Sequence, residues 1–355
     1  MYFSFENDFE KKKFVSLLEQ HQLNIDYLHY MHNILLDNQS FDNPLFIEEL
    51  KKEEPLKKRE KLIESLLKKY PTDSNFITNN ILWDCHFLSI DEYLFNPYLQ
   101  VLKSISFNEK EWTLKQEKIP SYNLFVNDDK YASGSNMTLK PSFGFFDEPF
   151  FCPTIFLENN KLMRLTPLKI KTMQIPIMVA KGKVLILGMG LGYFAYMTSL
   201  KENVKEVHIV ENNSDLINLF YKYFLPLFPF KEKIYIHKAD AFLFAEKIKD
   251  HDYDFIFSNL WNEPSEGLTA YLSLRRKFDF FTYTKRYYWL ESSIISCLRL
   301  LVIDVMSDEF YQIEDDYDEI KSQIKHSLQP LVLKNTYDLD ALLNIKGLFK
   351  TMLTK

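Results

Sequence analysis

The sequence predicts an α/β protein, a doubly wound parallel sheet joined to a helical N-terminal domain, a β-rich connector and a helical C-terminal extension. Residues 182 to about 260 alternate apolar β-type runs with helical stretches, the pattern of parallel βαβ units with right-handed crossovers. Residues 1–106 carry helical periodicity, whereas 107–181 break into short runs separated by turn residues. The chain also has only eight glycines in 355 residues, against roughly 25 at average usage. Three of them, Gly188, Gly190 and Gly192, fall within five residues.

The helical domain, residues 1–106, reads from its apolar spacing. Leu62, Ile63, Leu66, Leu67 and Tyr70 form one stripe, with Pro55 where a first helical turn tolerates proline. Further helices are expected at 9–20, 24–37 and 76–104. In the connector, residues 107–181, strands are expected at 111–114, 123–126, 150–151 and 154–157. Asn127-Asp128-Asp129 and Glu158-Asn159-Asn160 read as turns. The core, residues 182–306, is expected to place strands at 183–187, 206–210, 233–238 and 253–258, with helices near 192–202, 213–225 and 241–249. Leu300–Val305 reads either as a fifth strand or as helix. The extension, residues 307–355, reads as helical.

Composition excludes several classes of function. A net charge of −6 opposes non-specific attraction to nucleic acid or anionic membrane. Lys51–Lys69 holds eight basic residues against four acidic, which is the solvated face of the Leu62–Tyr70 helix. Ile294–Met306 is too short, and too charged at Arg299 and Asp304, to span a bilayer. Met1–Asp8 lacks a basic-then-apolar secretory pattern. Cys85, Cys152 and Cys297 form no disulfide framework or zinc spacing, and a cytoplasmic location is expected. His29 and His32 share a helix face without a third ligand nearby, so no metal site is expected.

Chemistry concentrates around the glycines. They close the apolar run Lys183–Leu187 and open Tyr193–Met197, giving a strand, a tight turn and a helix. Such a turn lets a ligand approach the backbone, and the helix that follows aims free N–H groups at it. The dinucleotide pattern G-x-G-x-x-G requires glycine at 193, where this chain has Tyr193. Glu211 ends the second strand 19 residues after Gly192, placed to accept from both hydroxyls of a ribose. Asp240, followed by Ala241, ends the third strand and is placed to accept from an exocyclic adenine amine.

On these residues, 183–260 resembles the S-adenosylmethionine (SAM)-binding, Rossmann-like core of class I methyltransferases. The resemblance implies SAM as cofactor, with Gly188, Gly190 and Gly192 as the glycine motif, Glu211 as the ribose acid and Asp240 as the adenine-side acid. It is closest in flavour to spermidine synthase-like proteins, through Leu200–Glu211 and Tyr253–Asn259. Two departures matter. Leu191 stands where that family has the aspartate that holds the ammonium group of decarboxylated SAM, and Asn259 stands where it has a proton-accepting aspartate. An amide is no general base at neutral pH. Both changes disfavour aminopropyl transfer, and intact SAM suits Leu191 better. The same resemblance implies that 165–174 covers the methionine end, with Thr166, Met173 and Gln174 lining it.

The loop Asn259–Leu268 follows the fourth strand. Asn259 and Trp261 are candidates to position an acceptor, and Glu263 or Glu266 to remove a proton. The loop is also similar to the (N/D/S)-P-P-aromatic motif of nucleic-acid amino methyltransferases but lacks both prolines. The expectation is therefore a SAM-dependent methyltransferase acting on a small-molecule acceptor, without nucleic acid or membrane partners and with a homodimer open. Catalytic candidates are Asn259, Trp261 and Glu263. Cofactor candidates are Gly188, Gly190, Gly192, Glu211, Asp240, Ala241 and Asn259. The alternatives are a SAM-binding protein without transfer, an aminopropyltransferase and, opposed by Tyr193, an NAD-linked oxidoreductase.

Overall fold

Val184, Leu185, Ile186 and Leu187 are all buried, which is why this run is apolar on both faces instead of alternating. It forms the central strand, Gly182–Leu187, of a five-stranded parallel sheet. The structure, a computed structural model, describes residues 1–37, 44–133, 137–313 and 316–353. The sheet runs Ile234–Lys238, Val204–Glu211, Gly182–Leu187, Phe255–Ser258 and Lys285–Tyr288 in spatial order. By chain order these are the third, second, first, fourth and fifth core strands. The order reverses between the first and fourth, the switch point at which open α/β sheets leave a crevice outside their C-terminal ends.

The helices Tyr193–Ser199, Ser214–Leu219, Ala241–Lys247 and Pro264–Phe278 alternate with these strands. Phe194 of the first stacks on Phe257 of the fourth strand at 3.9 Å between ring centroids. Burying each such ring contributes on the order of 2 kcal/mol, and the stack fixes that helix over the sheet. The helix after the second strand is shorter than the expected 213–225. It gives way to a π turn at Phe220–Phe224 and a 3-10 turn at Leu225–Leu227, where Pro226 removes a donor.

The fifth strand is Lys285–Tyr288, parallel to the fourth. Leu300–Val305 lies inside the helix Glu291–Tyr311, which settles the open reading of that run. A short apolar run has no period that distinguishes a buried helix from a buried strand.

The N-terminal region forms the helices Asp8–Leu36, Pro44–Lys52, Pro55–Lys69 and Asn75–Asp84. The expected helices 9–20 and 24–37 are one helix, and 76–104 is broken by a strand at Cys85–Phe87. Around the buried stripe Leu62, Ile63 and Leu66 a separate core gathers Tyr27, Ile34, Ile81, Phe143 and Phe145. Two small sheets follow. One orders Cys85–Phe87, Thr138–Phe145 and Phe125–Ser133, the other Phe107–Glu109, Trp112–Ile119, Phe150–Leu157 and Asn160–Arg164.

Glu158-Asn159-Asn160 does turn, with positive φ at Glu158 and Asn159. Asn127-Asp128-Asp129 does not: it lies within the bulged strand Phe125–Ser133. The bulge delivers Asp129 to the start of the helix Glu291–Tyr311, where its carboxylate accepts from the N–H of Ser292 at 3.0 Å and Ser293 at 2.8 Å. Leu290, at the cap position itself, has no side chain able to do this. A two-residue parallel pairing of Tyr2–Phe3 with Val332–Leu333 ties the first residues to the extension. No helix among the described residues is long and apolar enough to cross a membrane.

Candidate functional site

Beyond the C-terminal ends of the first, second, third and fourth core strands lies an open cleft of about 360 Å³. That volume falls within the range of small-molecule sites. Its wall contains Gly188, Gly190, Glu211, Asp240, Ala241 and Asn259, six of the seven residues singled out for cofactor binding.

Gly188 and Gly190 adopt φ of 90° and 54°, in the left-handed region that side chains disfavour. A Cβ on Gly188 would also collide with the carbonyl oxygen of Asn259, and one on Gly190 would sit 3.2 Å from the Asn259 amide nitrogen. The first and fourth strands are therefore brought together by the glycines, and the backbone itself forms the floor. Gly192 serves differently. It starts the helix Tyr193–Ser199 and faces Phe220 and the Tyr98 hydroxyl, outside the cleft wall.

The Glu211 carboxylate is held by the backbone. One oxygen accepts from the N–H of Asn212 and Asn213 at 2.9 Å, and the other from Met189 N–H at 3.3 Å. Those three bonds orient it toward the glycine turn. Asp240 caps the helix Ala241–Lys247: one oxygen accepts from Phe242 and Leu243 N–H, both at 2.9 Å. Capping uses one oxygen and leaves the other on the rim.

Asn259 is anchored by its backbone N–H, which donates to Leu187 at 2.8 Å. Its side-chain oxygen is buried and has no hydrogen-bond partner. An orphaned buried acceptor costs about 1–3 kcal/mol, and a donor placed in the cleft could satisfy this one. Trp261 lines the cleft but is locked: its indole N–H donates to the Trp289 carbonyl at 2.9 Å, and its ring lies against Gly267. Trp261 is only 5% exposed and has no free hydrogen bond to offer. Glu263 and Glu266 are exposed at the start of the helix Pro264–Phe278, and neither lines the cleft. The geometry brings no carboxylate from that loop to the site.

The segment 165–174 contributes a residue that sequence reasoning missed. Thr166 caps the helix Pro167–Thr172, Met173 is buried against the inner end of the site, and Gln174 is exposed. Lys169 instead lines both the cleft and a smaller inner cavity bounded by Gly188, Gly190, Leu191 and Asn259. A lysine between Leu168 and Ile170, two residues before Lys171, reads as solvated helix surface, which hid it. Leu191 is buried in that inner wall, and its carbonyl accepts from the Tyr98 hydroxyl. Leu162, Met163, Asn212, Asn213, Leu216 and Phe242 complete the cleft without having been singled out. His29 and His32 are exposed on the helix Asp8–Leu36, and no metal-binding cluster occurs among the described residues.

No family model matches the chain, and no curated protein does. Solved structures similar to it include the following two. Spermidine synthase from Thermotoga maritima is 13% identical with a TM-score of 0.30, the match covering 43% of this chain. The chain spans 59% of that synthase's length. MnmC2 from Aquifex aeolicus is 14% identical with a TM-score of 0.31, the match covering 70% of this chain and 78% of the other.

Proposed function

We propose that the chain is a SAM-dependent methyltransferase acting on a small-molecule acceptor. One observation carries the reading: Gly188, Gly190, Glu211, Asp240, Ala241 and Asn259, far apart in sequence, line a single cleft at the switch point of a parallel sheet. The chemistry of this set fits an adenosyl sulfonium ligand. Glu211 accepts from the ribose hydroxyls, Ala241 and Phe242 flank the adenine, and the rim oxygen of Asp240 takes its amine. The glycine floor admits the methionine end, whose ammonium group donates to the orphaned oxygen of Asn259.

When bound, SAM supplies an electrophilic methyl group: the acceptor's lone pair forms the new bond as the carbon–sulfur pair returns to sulfur. Positioning of the acceptor in the cleft beside Trp261 then supplies much of the rate. Asn259 is an amide and Trp261 a committed donor, so neither takes a proton. The acceptor is accordingly one whose lone pair is free, or whose proton leaves to solvent. Asn259 and Leu191 leave the polyamine chemistry of an aminopropyltransferase without its two carboxylates.

The test is transfer of labelled methyl from SAM to a fractionated pool of small metabolites. Label appearing in a discrete product, and absent with Glu211→Ala, supports the enzyme. Tight SAM binding without any product favours a binding protein instead.

A further inference from the structure

The cleft contains a cation without a counterion. Lys169 is half-buried on the helix Pro167–Thr172 and enters the walls of both the cleft and the inner cavity. Among the described residues no carboxylate or hydrogen-bond acceptor is paired with its ammonium group. What it has is the Trp289 ring, 5.0 Å from the nitrogen, and that ring is fixed because its indole N–H donates to Thr172 at 2.9 Å. Arg164, in the inner wall, makes the contrast, since its guanidinium stands 3.3 Å from Glu117.

The other charged or titratable groups in these walls are Glu211, Asp240 and Tyr193. Neither carboxylate is paired with Lys169: Glu211 accepts from backbone N–H groups on both oxygens, Asp240 caps its helix with one oxygen and leaves the other on the rim, and the Tyr193 hydroxyl accepts from Asn96 at 3.0 Å. Burial alone pushes the Lys169 ammonium down to about 8, with no neighbour restoring it. With only the Trp289 ring beside it, an ammonium group placed this way has its charge compensated only when an anion enters the cleft.

We infer that Lys169 binds the carboxylate of the cofactor's amino-acid end, and that this contact makes the site select intact SAM over its decarboxylated form. The inference rests on the methyltransferase reading. The two ligands differ by that one carboxylate, and Lys169 stands beside Gly188, Gly190 and Asn259, where the reading places the methionine end. Asn259 takes the ammonium group and Lys169 the carboxylate, so two side chains of opposite demand read the two charges of an amino acid.

The test is calorimetric binding of SAM, decarboxylated SAM and 5′-methylthioadenosine to the wild type, Lys169→Met and Lys169→Arg. 5′-Methylthioadenosine lacks the carboxylate and the aliphatic amine of the amino-acid end, so its affinity reports whether the adenosine half of the site is intact. A charge-assisted hydrogen bond corresponds to about 10- to 100-fold in affinity. The expected result is that Lys169→Met loses this factor for SAM alone, keeps 5′-methylthioadenosine unchanged, and no longer prefers SAM to its decarboxylated form. Lys169→Arg keeps part of the preference. Equal loss for all three ligands, or a preference that survives Lys169→Met, overturns the assignment while leaving the adenosyl site standing. Failure of the wild type to bind any of the three removes the methyltransferase reading, and this inference with it.

Discussion

The hydroxyl of Tyr98 donates to the carbonyl of Leu191, joining the N-terminal region to the middle of the glycine turn. Tyr98 is fully buried, with its ring 4.7 Å from that of Tyr196, and the neighbouring Asn96 bonds the Tyr193 hydroxyl. The turn is thus held from outside the core sheet. Tyr98→Phe keeps the ring and leaves a buried carbonyl orphaned, at a cost of about 1–3 kcal/mol. Urea unfolding should show that loss. SAM affinity, measured by calorimetry, should fall several-fold although the residue lies outside the cleft.

Gly188→Ala should be the most damaging single methyl group in the core. It forces a side chain into left-handed backbone and against the Asn259 carbonyl, which the fourth strand cannot withdraw without breaking its pairing. The expected loss is about 2 kcal/mol or more, with ligand binding abolished. Gly192→Ala should also destabilise the fold, through Phe220 and Tyr98, yet retain binding once folded. Calorimetry on both variants separates the floor of the cleft from its scaffold.

Lys169 gives a pH signature. In the unfolded chain its amine stays charged to about pH 10.4, but in the folded, ligand-free protein only to about 8. Between these values the unfolded state binds more protons, so stability rises with pH across that window. Below it the confined charge exerts its full cost, reduced by water entering the cleft mouth. Lys169→Met should therefore melt higher than the wild type at pH 7 without ligand, by on the order of 2 °C. The difference should shrink toward pH 10. A lysine serving only the fold would give the opposite sign.

Asp84 gives a second signature, far from the cleft. It is buried, and burial raises its carboxyl to about 6 despite the hydrogen bond at 2.9 Å from Tyr27. The folded state then holds a proton that the unfolded state has released, so stability falls as pH rises from about 4 to about 6. Asp84→Asn should remove that fall and exceed the wild type by on the order of 1–3 kcal/mol at pH 7. Unfolding curves at pH 4, 5, 6 and 7 check it.

The two central core strands were legible because Val184–Leu187 and Phe255–Phe257 are buried on both faces and so apolar throughout. The fifth strand was not, because Lys-Arg-Tyr-Tyr at 285–288 sits at the sheet edge, where charge is tolerated. Asp129 read as a turn residue because its partners, Ser292 and Ser293, lie more than 160 residues away. In the site, spacing alone picked out Gly188, Gly190, Glu211 and Asp240, since strand-to-helix turns put them at regular intervals. Lys169 and the burial of Trp261 depend on tertiary neighbours, to which local periodicity is blind. Glu263 was expected from its chemistry, and the helix starting at Pro264 carries it to the surface instead.

The central claim is that the glycine turn and Glu211 hold an adenosyl ligand. Thermal unfolding with SAM, decarboxylated SAM and NAD in parallel, on the wild type and Glu211→Ala, tests it most directly. At 100 times its dissociation constant a ligand stabilises by about 2.7 kcal/mol, a readily seen shift. SAM should raise the wild-type midpoint most, NAD should leave it unchanged, and Glu211→Ala should lose the response. No shift with either adenosyl ligand, or an equal shift in the variant, would contradict it.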